Sequence, residues 1–325
     1  MKLVLKLAAV SLLCTTGYVA AQAQSGASNT ERTTAPAPKR INRVIELLES
    51  GQPVYYTGGS GGFEEGLALA DTHADYINYN MEHGSFDVQR LREFMAGLVV
   101  GGPTRTGHRT VPVIATLPQL GDDAQAMRAN SWAVQQALAT GIHGILLTQV
   151  EDPEAVRLFV EASRYPFAPG ADPAETHRGS GSQSYAAQVW GVSPNEYVRM
   201  ADTWPLNPKG EIFLGLKIEN PKATANVEKS AAVPGVGFVE WGPGDQSYYL
   251  LGAPTEGGRD NDDPRMVQTR ARVLAAAKAN KIYFLNSCNE QTVIEQIQDG
   301  TMICTGGDGP GAVVGRKYTN RPQPW

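Results

Sequence analysis

The sequence predicts an α/β protein whose fold is a single (β/α)8 TIM barrel. Eight short runs rich in β-branched and aromatic residues alternate along the chain with segments of helical periodicity. No GxGxxG pattern follows the first of these runs in the sequence, as a dinucleotide-binding doubly wound sheet would require. Eight strand and helix units in succession therefore favour a closed barrel over an open sheet.

The predicted strands are short and are separated by turns or helical segments. They cover residues 53–58, 75–80, 111–117, 144–150, 211–219, 236–241, 281–287 and 301–306. The predicted helices have apolar residues three or four positions apart, and Gly141, Gly210 and Gly300 stand where helices should end. They cover residues 62–71, 87–100, 123–140, 153–164, 194–204, a short turn at 222–231, 263–280 and 290–299.

The barrel domain is expected to cover residues 41–307. Within it, residues 167–191 form a long loop between the fourth and fifth strands, and loops of this length are commonly functional. Before it, residues 24–40 are small, polar and Pro-rich, which is typical of a flexible leader. After it, residues 308–325 are so rich in glycine and proline that we expect an irregular tail, with the eighth helix atypical or missing.

The first residues have the pattern of a cleaved secretory signal peptide over residues 1–23. Lys2 and Lys6 flank a short apolar run, and the small residues Ala21 and Ala23 follow it. An uncleaved anchor is the alternative, although the run is short for a membrane span. We therefore expect an exported, periplasmic protein with no stable membrane span in the mature chain.

Composition and charge narrow the class of partner. The chain has 325 residues, of which 42% are hydrophobic and 19% charged, as in a globular protein with a large core. Its net charge of −5 argues against nucleic acid or an anionic membrane as the main partner. The expected partner is a small-molecule substrate. Cys288 and Cys304 would remain after cleavage of the signal peptide. A disulfide between them and two buried free thiols are both open.

Catalytic residues of a (β/α)8 barrel lie at the C-terminal ends of its strands, so polar residues at these positions are candidates. They are Asn80, Glu82 and His83 after the second strand, Gln149 and Glu151 after the fourth, Glu219 after the fifth and Asp245 after the sixth.

Two of these candidates, Glu219 and Asp245, are carboxylates at adjacent strand ends, an arrangement that could form a site for a hard divalent cation. The alternative is that Glu219 pairs with Lys217 or Arg178 and that Asp245 caps a helix. His83 alone would more often be a packing residue, but an imidazole beside a bound cation is a natural general base at neutral pH.

Five segments resemble, in order, the motifs of the HpcH/HpaI aldolase/citrate lyase family, the metal-dependent class II pyruvate aldolases. They are DYINYNMEHG at 75–84, EASRYPF at 161–167, HRGSGS at 177–182, LKIEN at 216–220 and GVGFVEWGPGDQS at 235–247. Each segment is a weak signal alone, but the ordered set recurs over roughly residues 41–307, which is most of the mature chain. The resemblance implies a divalent metal ion and homo-oligomers, commonly trimers or hexamers.

The resemblance also implies roles for individual residues. Glu219 and Asp245 match the family's two protein ligands for a Mg2+, Mn2+ or Co2+ ion, and His83 matches its general base. The main-chain amides of Gly244 and Asp245 match the donors that hold the carboxylate of pyruvate. Arg178 falls on an arginine of the family's Arg-Gly-x-Gly segment, and its expected role is structural or loop-positioning.

Two positions depart from the family's pattern. Asn80 stands where the family has an aspartate that orients the histidine, and an amide supplies no negative charge to stabilise an imidazolium. Thr116 stands where an arginine would stabilise an enolate, a loss of several kcal/mol unless another cation replaces it. His108, Arg178 and Arg199 are the candidate replacements.

Gln149 and Thr116 end two strands at the predicted mouth, and we expect them to contact the substrate together with Gly244, Asp245 and Arg178. The predicted function is a divalent-metal-dependent carbon–carbon lyase of the aldolase type. It would act on an oxygenated carbonyl or hydroxy-carbonyl catabolite through an enolate-like intermediate. A metal-dependent hydratase or isomerase, favoured by the two departures, and a non-catalytic ligand-binding protein are the alternatives.

Overall fold

The computed structural model describes residues 39–256 and 258–325, so the predicted signal peptide and nearly all of the leader lie outside the described residues. The described residues form one compact unit around a parallel sheet. Its strands are β1 (Val54–Gly59), β2 (Tyr76–Asn80), β3 (Val113–Thr116), β4 (Gly144–Leu147), β5 (Thr203–Trp204), β6 (Ile212–Ile218), β7 (Phe238–Trp241), β8 (Tyr283–Asn286) and β9 (Thr301–Thr305). Each predicted strand is present, and the two-residue β5 is an addition.

The sheet closes on itself. The strand order is β4, β3, β2, β1, β9, β8, β7, β6, and β6 then pairs with β4 to complete the ring. These pairings are all parallel, and β5 is attached to the start of β6. The predicted (β/α)8 barrel is therefore confirmed.

Helices surround the barrel. They are α1 (Arg43–Glu49), α2 (Phe63–Leu69), α3 (Val88–Gly101), α4 (Ala124–Ala139), α5 (Pro153–Ala162), α6 (Gln183–Trp190), α7 (Pro194–Met200), α8 (Pro221–Ala231), α9 (Pro243–Leu251), α10 (Pro264–Asn280), α11 (Val293–Asp299) and α12 (Pro310–Tyr318). The predicted helices are present, while α1, α6, α9 and α12 are additional. Among the described residues, no helix is long and apolar enough to cross a membrane.

The long loop predicted between the fourth and fifth strands contains a helix, α6. Its Ala186, Val189 and Trp190 are buried and join the apolar layer between the strands and the outer helices. The indole N–H of Trp190 donates to the carbonyl of Gly141 at 2.8 Å. These contacts with distant residues stabilise a helix that its own glycine- and serine-rich surroundings do not predict.

The barrel interior changes from apolar to polar along its axis. Side chains alternate between the two faces of a strand, so residues two apart share a face. Near the start of the strands, Ile114 and Phe213 pack inside the barrel against α1. Further along the same interior face come Thr116 of β3 and Lys217 of β6. The end of the barrel that carries the candidate residues is therefore lined with polar groups.

The prediction of an irregular tail over residues 308–325 is wrong in part. Its first half forms α12, a nine-residue helix in the position of the eighth barrel helix. Pro310 lies in its first turn, where the helix does not use the main-chain N–H. A Cβ atom at Gly315 would collide with the hydroxyl of Tyr55. The glycine that argued against a helix is thus needed for close packing on the barrel.

A buried aspartate connects the N-terminal and C-terminal segments of the domain. The carboxylate of Asp75, next to β2, lies 2.8 Å from Arg321, 3.2 Å from Arg43 and 3.5 Å from Arg316. Burial alone would raise the pKa of Asp75, but the arginine charges outweigh burial and lower it. The cluster connects α1, β2 and α12 at the end of the barrel opposite the candidate site.

Cys288 and Cys304 are paired in a disulfide, with their Cα atoms 5.3 Å apart. Of the two alternatives left open by the sequence, the structure therefore has the bridge. Cys304 lies in β9 and Cys288 shortly after β8. Together with Tyr55, Val293 and Ala312 they form a small apolar cluster that holds α11 and α12 against the barrel.

Candidate active site

Three carboxylates meet at the C-terminal mouth of the barrel. Glu82 follows β2, Glu219 follows β6, and Asp245 lies in the first turn of α9 after β7. One oxygen atom from each lies within 4.8 Å of the others. Glu219 is fully buried, and burial raises its pKa to about 6 despite the opposing charge of Lys217. The grouping resembles the oxygen-rich sites that hard divalent cations prefer.

Gln149 holds two of these carboxylates. Its main-chain N–H donates to Glu219 Oε1 at 2.8 Å, and its side-chain Nε2 donates to Asp245 Oδ2 at 3.0 Å. The Gln149 φ angle is +51°, in the left-handed region that residues other than glycine adopt rarely. Asn220 Nδ2 in turn donates to Gln149 Oε1 at 2.8 Å. Gln149 therefore bonds to both carboxylates, to Glu219 through its main chain and to Asp245 through its side chain.

Within the described residues, Glu219 Oε2 is buried and accepts no hydrogen bond of good geometry. Its charged neighbour is Lys217, whose Nζ lies 3.0 Å from this oxygen in an ion pair. A buried carboxylate needs such a positive partner.

Two glycines after β7 allow the main chain to approach the site. A Cβ atom at Gly242 would lie 2.7 Å from the Cβ of Glu219, which is too close for any other residue. The N–H groups of Gly244 and Asp245 are in the first turn of α9, where a helix has no internal acceptors for them. A Cβ at Gly244 would be 3.6 Å from Arg259 Nη2, so a cation borders this helix start.

The imidazole of His83 stands at the exposed rim of the mouth. Its side chain is 63% exposed, and Nε2 lies 3.4 Å from Glu82 Oε2. Asn80 Oδ1 accepts hydrogen bonds from the main-chain N–H groups of Glu82, at 2.9 Å, and His83, at 3.3 Å. Asn80 therefore shapes the turn that presents both side chains, and Glu82 is the carboxylate beside the ring.

Lys217 is the cation closest to the carboxylates. Its Nζ lies 2.6 Å from Glu82 Oε2 and 3.0 Å from Glu219 Oε2. Its neighbour across the sheet is Glu240 of β7, whose pKa burial raises to about 7. Burial alone would lower the pKa of Lys217, but the surrounding carboxylates raise it, so the ammonium is charged. The pairing of Glu219 with Lys217, an alternative to a metal site, is thus present.

Thr116 is buried at the end of β3, opposite Asn80 in the strand register. Its hydroxyl donates to Asn78 Oδ1 at 2.6 Å. Thr116 thus completes the polar interior below the mouth with a neutral hydrogen bond. It contributes no positive charge at the position where the motif resemblance implies an arginine.

The three cations considered as replacements lie elsewhere in the described structure. His108 is buried beside Glu46 of α1, with 3.5 Å between Nε2 and Oε2. Arg178 is buried among the helices and donates to two main-chain carbonyls, contacts that suit the structural role expected from its motif. Arg199 is exposed on α7. From the sequence, Lys217 was expected only as a possible ion-pair partner of Glu219.

Several site residues were not predicted in their roles. Glu82 was a strand-end candidate, but its meeting with the other carboxylates was not foreseen. Lys217 precedes Glu219 by two positions and so shares its strand face, a signal that was available in the segment LKIEN. Arg259 lies far along the chain in the loop after α9, and nothing in its local sequence indicates proximity to Gly244.

Comparison with known proteins gives relatives over most of the chain. The hydroxypyruvate/pyruvate aldolase of Delftia acidovorans is 30% identical over 244 residues, which cover 73% of this chain and 77% of that protein. The hydroxypyruvate/pyruvate aldolase of Deinococcus radiodurans is 28% identical over 66% of this chain and 68% of that protein. No family model matches the chain.

A solved structure shares the fold. An HpcH/HpaI aldolase/citrate lyase family protein from Burkholderia cenocepacia has a TM-score of 0.63 and 20% identity, covering 86% of this chain and 95% of that one. The barrel fold, the polar groups at its mouth and the aldolase relatives together identify the protein as an enzyme, a carbon–carbon lyase of the aldolase type. The chain belongs to the HpcH/HpaI aldolase/citrate lyase family. The resemblance seen in its motifs is confirmed.

Proposed function

We propose that the protein is a divalent-metal-dependent aldolase. It would cleave or form the carbon–carbon bond that joins a 2-oxo acid of the pyruvate class to an aldehyde. The observation that carries this proposal is the meeting of Glu82, Glu219 and Asp245 at the barrel mouth. The names of the Delftia and Deinococcus relatives, hydroxypyruvate/pyruvate aldolase, support the substrate class.

The residues present fit a divalent ion. Glu219 and Asp245 would hold Mg2+, Mn2+ or Co2+, with Glu82 beside them, since all three offer the oxygen ligands that these ions accept. Glu219 is fully buried, and one oxygen atom from each of the three carboxylates lies within 4.8 Å of the others. When bound, the ion would polarise the substrate carbonyl as a Lewis acid.

The remaining residues would bind the substrate and move its proton. The N–H groups of Gly244 and Asp245, with the nearby guanidinium of Arg259, suit a carboxylate at the start of α9. In the cleavage direction, His83 would accept the proton of the substrate hydroxyl. The electron pair of the breaking carbon–carbon bond passes into the enolate, and an aldehyde leaves. Glu82, 3.4 Å from the ring, would stabilise the protonated imidazole.

Removal and restoration of the metal tests the proposal. Protein stripped with a chelator should lose turnover of a panel of 4-hydroxy-2-oxo acids, and Mn2+ or Co2+ should restore it. Pyruvate or hydroxypyruvate and the released aldehyde would be measured by coupled assays. Failure to bind any divalent ion with the fold intact would refute the metal assignment. Binding without turnover would favour a non-catalytic protein.

A metal-dependent hydratase or isomerase is the second candidate. The neutral Thr116 favours it, because its hydroxyl bonds to Asn78 where aldol chemistry calls for a positive charge. Product analysis separates the two candidates, since a hydratase or isomerase conserves the carbon skeleton and an aldolase releases two carbonyl fragments. Detection of dehydrated or isomerised product without aldehyde would replace the first proposal.

Replacing Gln149 by alanine should weaken metal binding by about 10- to 100-fold, the usual effect of losing a residue that orients a metal ligand. The change removes the hydrogen bond to Asp245 and keeps the main-chain bond to Glu219. Titration with Mn2+, followed by electron paramagnetic resonance, would measure it. Gln136→Ala, on the exposed face of α4, is the matched control. Equal affinities for the two variants would contradict this role.

We further propose that the mature protein is exported and acts in the periplasm as a homo-oligomer. The disulfide between Cys288 and Cys304 supports export, because disulfides persist mainly in oxidising compartments. Cell fractionation with N-terminal sequencing of the purified protein would test export. Light scattering after gel filtration would measure the oligomeric state.

A further inference from the structure

The proposed aldolase reaction requires positive charge near the oxygen of the developing enolate. In this chain the residue at the end of the third strand is the neutral Thr116. The candidate replacements His108, Arg178 and Arg199 lie away from the mouth in the described structure. Arg259 borders the start of α9, where the substrate carboxylate would bind. Besides the proposed metal ion, a side chain that could supply positive charge to the enolate oxygen therefore has to be sought elsewhere at the mouth.

Lys217 has the required position. It lies two residues before Glu219 on the interior face of β6, so its side chain enters the site from below. Its Nζ is within 3.0 Å of two of the three carboxylates that would surround a metal ion. The side chain is 14% exposed, which leaves it in contact with the open mouth while its charge is poorly screened.

We propose that Lys217 is a catalytic residue whose ammonium stabilises the enolate oxygen of the substrate, in place of the charge absent at Thr116. The inference rests on the proposed function and names a residue for it. An oxygen bound among Glu82, Glu219 and Asp245 is a neighbour of this ammonium, because the ammonium already contacts the first two. The same charge repels a divalent ion in the same cluster.

These two effects give Lys217 a distinctive signature. Lys217→Met should lower kcat by about 10²–10³-fold, the usual cost of one lost charge-stabilising donor. The same variant should bind Mn2+ about tenfold more tightly or better, because a repelling charge has gone. A residue that only supports the fold would weaken both properties. Lys217→Arg keeps the charge, so it should retain wild-type metal affinity and part of the turnover.

The experiment compares wild type, Lys217→Met, Lys217→Arg and the matched control Lys229→Met, an exposed lysine of α8. Mn2+ affinity, kcat and KM would be measured for each, together with thermal unfolding as a check of the fold. Oxalate, a planar dianion that imitates the pyruvate enolate, supplies a reading independent of turnover. Its affinity for the Mn2+-loaded protein should fall at least about tenfold in Lys217→Met and recover partly in Lys217→Arg.

The outcomes are distinct. Slower turnover, tighter Mn2+ binding and weaker oxalate binding in Lys217→Met support the proposal. Unchanged oxalate affinity, or metal binding weakened along with turnover, overturns it. If wild type binds Mn2+ but converts no member of the substrate panel, the proposed function fails. The oxalate comparison then still decides whether Lys217 recognises an enolate-like anion.

Discussion

Glu219→Gln is expected to lower metal-dependent turnover by at least about 10³-fold, because a Lewis acid supplies several kcal/mol of transition-state stabilisation. Glutamine keeps the size of the side chain and an acceptor for the N–H of Gln149. It removes the negative charge from the buried oxygen beside Lys217. The change therefore isolates the loss of a ligand charge from a change of shape.

Mn2+ titration and steady-state kinetics on the same preparations would measure this effect, with circular dichroism as the check of folding. Glu290→Gln is the matched control, since Glu290 is an exposed glutamate before α11. We expect the control to behave as wild type. Retention of Mn2+ affinity and turnover within about tenfold of wild type in Glu219→Gln would show that Glu219 is not a ligand.

Asp75→Ala is expected to destabilise the fold by about 3–5 kcal/mol, the usual result of removing one partner from a buried ionic cluster. The fully buried carboxylate would no longer neutralise Arg43, Arg316 and Arg321, which would repel one another. The main-chain N–H of Tyr55 would also lose its acceptor. Because α1 and α12 are held through this cluster, we expect both helices to detach at lower denaturant concentrations.

Urea unfolding, followed by circular dichroism, would measure this loss. Asp71→Ala is the control, because its pair with Arg105 lies at the surface and should contribute no more than about 1 kcal/mol. Similar midpoints for the two variants would contradict the role of Asp75. The lowered pKa of Asp75 also predicts how stability depends on pH. The contribution of Asp75 to the free energy of unfolding is complete above about pH 4 and is lost as acid protonates the carboxylate of the folded protein.

Local sequence predicted the barrel and two of its metal-binding candidates. Strand runs and helical spacing act over a few residues, and the rule that barrel sites lie at C-terminal strand ends then brings Glu219 and Asp245 together. Local sequence failed at α12, because proline and glycine were interpreted from average propensity. At Gly315 the absence of a Cβ is required by Tyr55, a residue from the other end of the domain.

The site's charges depended on contacts that no local pattern encodes. The motif around Arg178 implied a structural or loop-positioning role, and its guanidinium donates to two main-chain carbonyls of distant segments. Lys217 was considered as a partner of Glu219, and its second contact, with Glu82, joins residues 135 positions apart. Only closure of the barrel decides which charge faces the mouth.

By itself, the sequence determined the (β/α)8 class, the family and the candidates His83, Glu219 and Asp245, because these depend on periodicity and on short motifs at strand ends. The tertiary structure alone decided that Glu82 completes the carboxylate group and that Lys217 lies between two of its members. The reason is physical: hydrogen bonds and ion pairs act over about 3 Å, and residues distant in sequence reach that range only after folding.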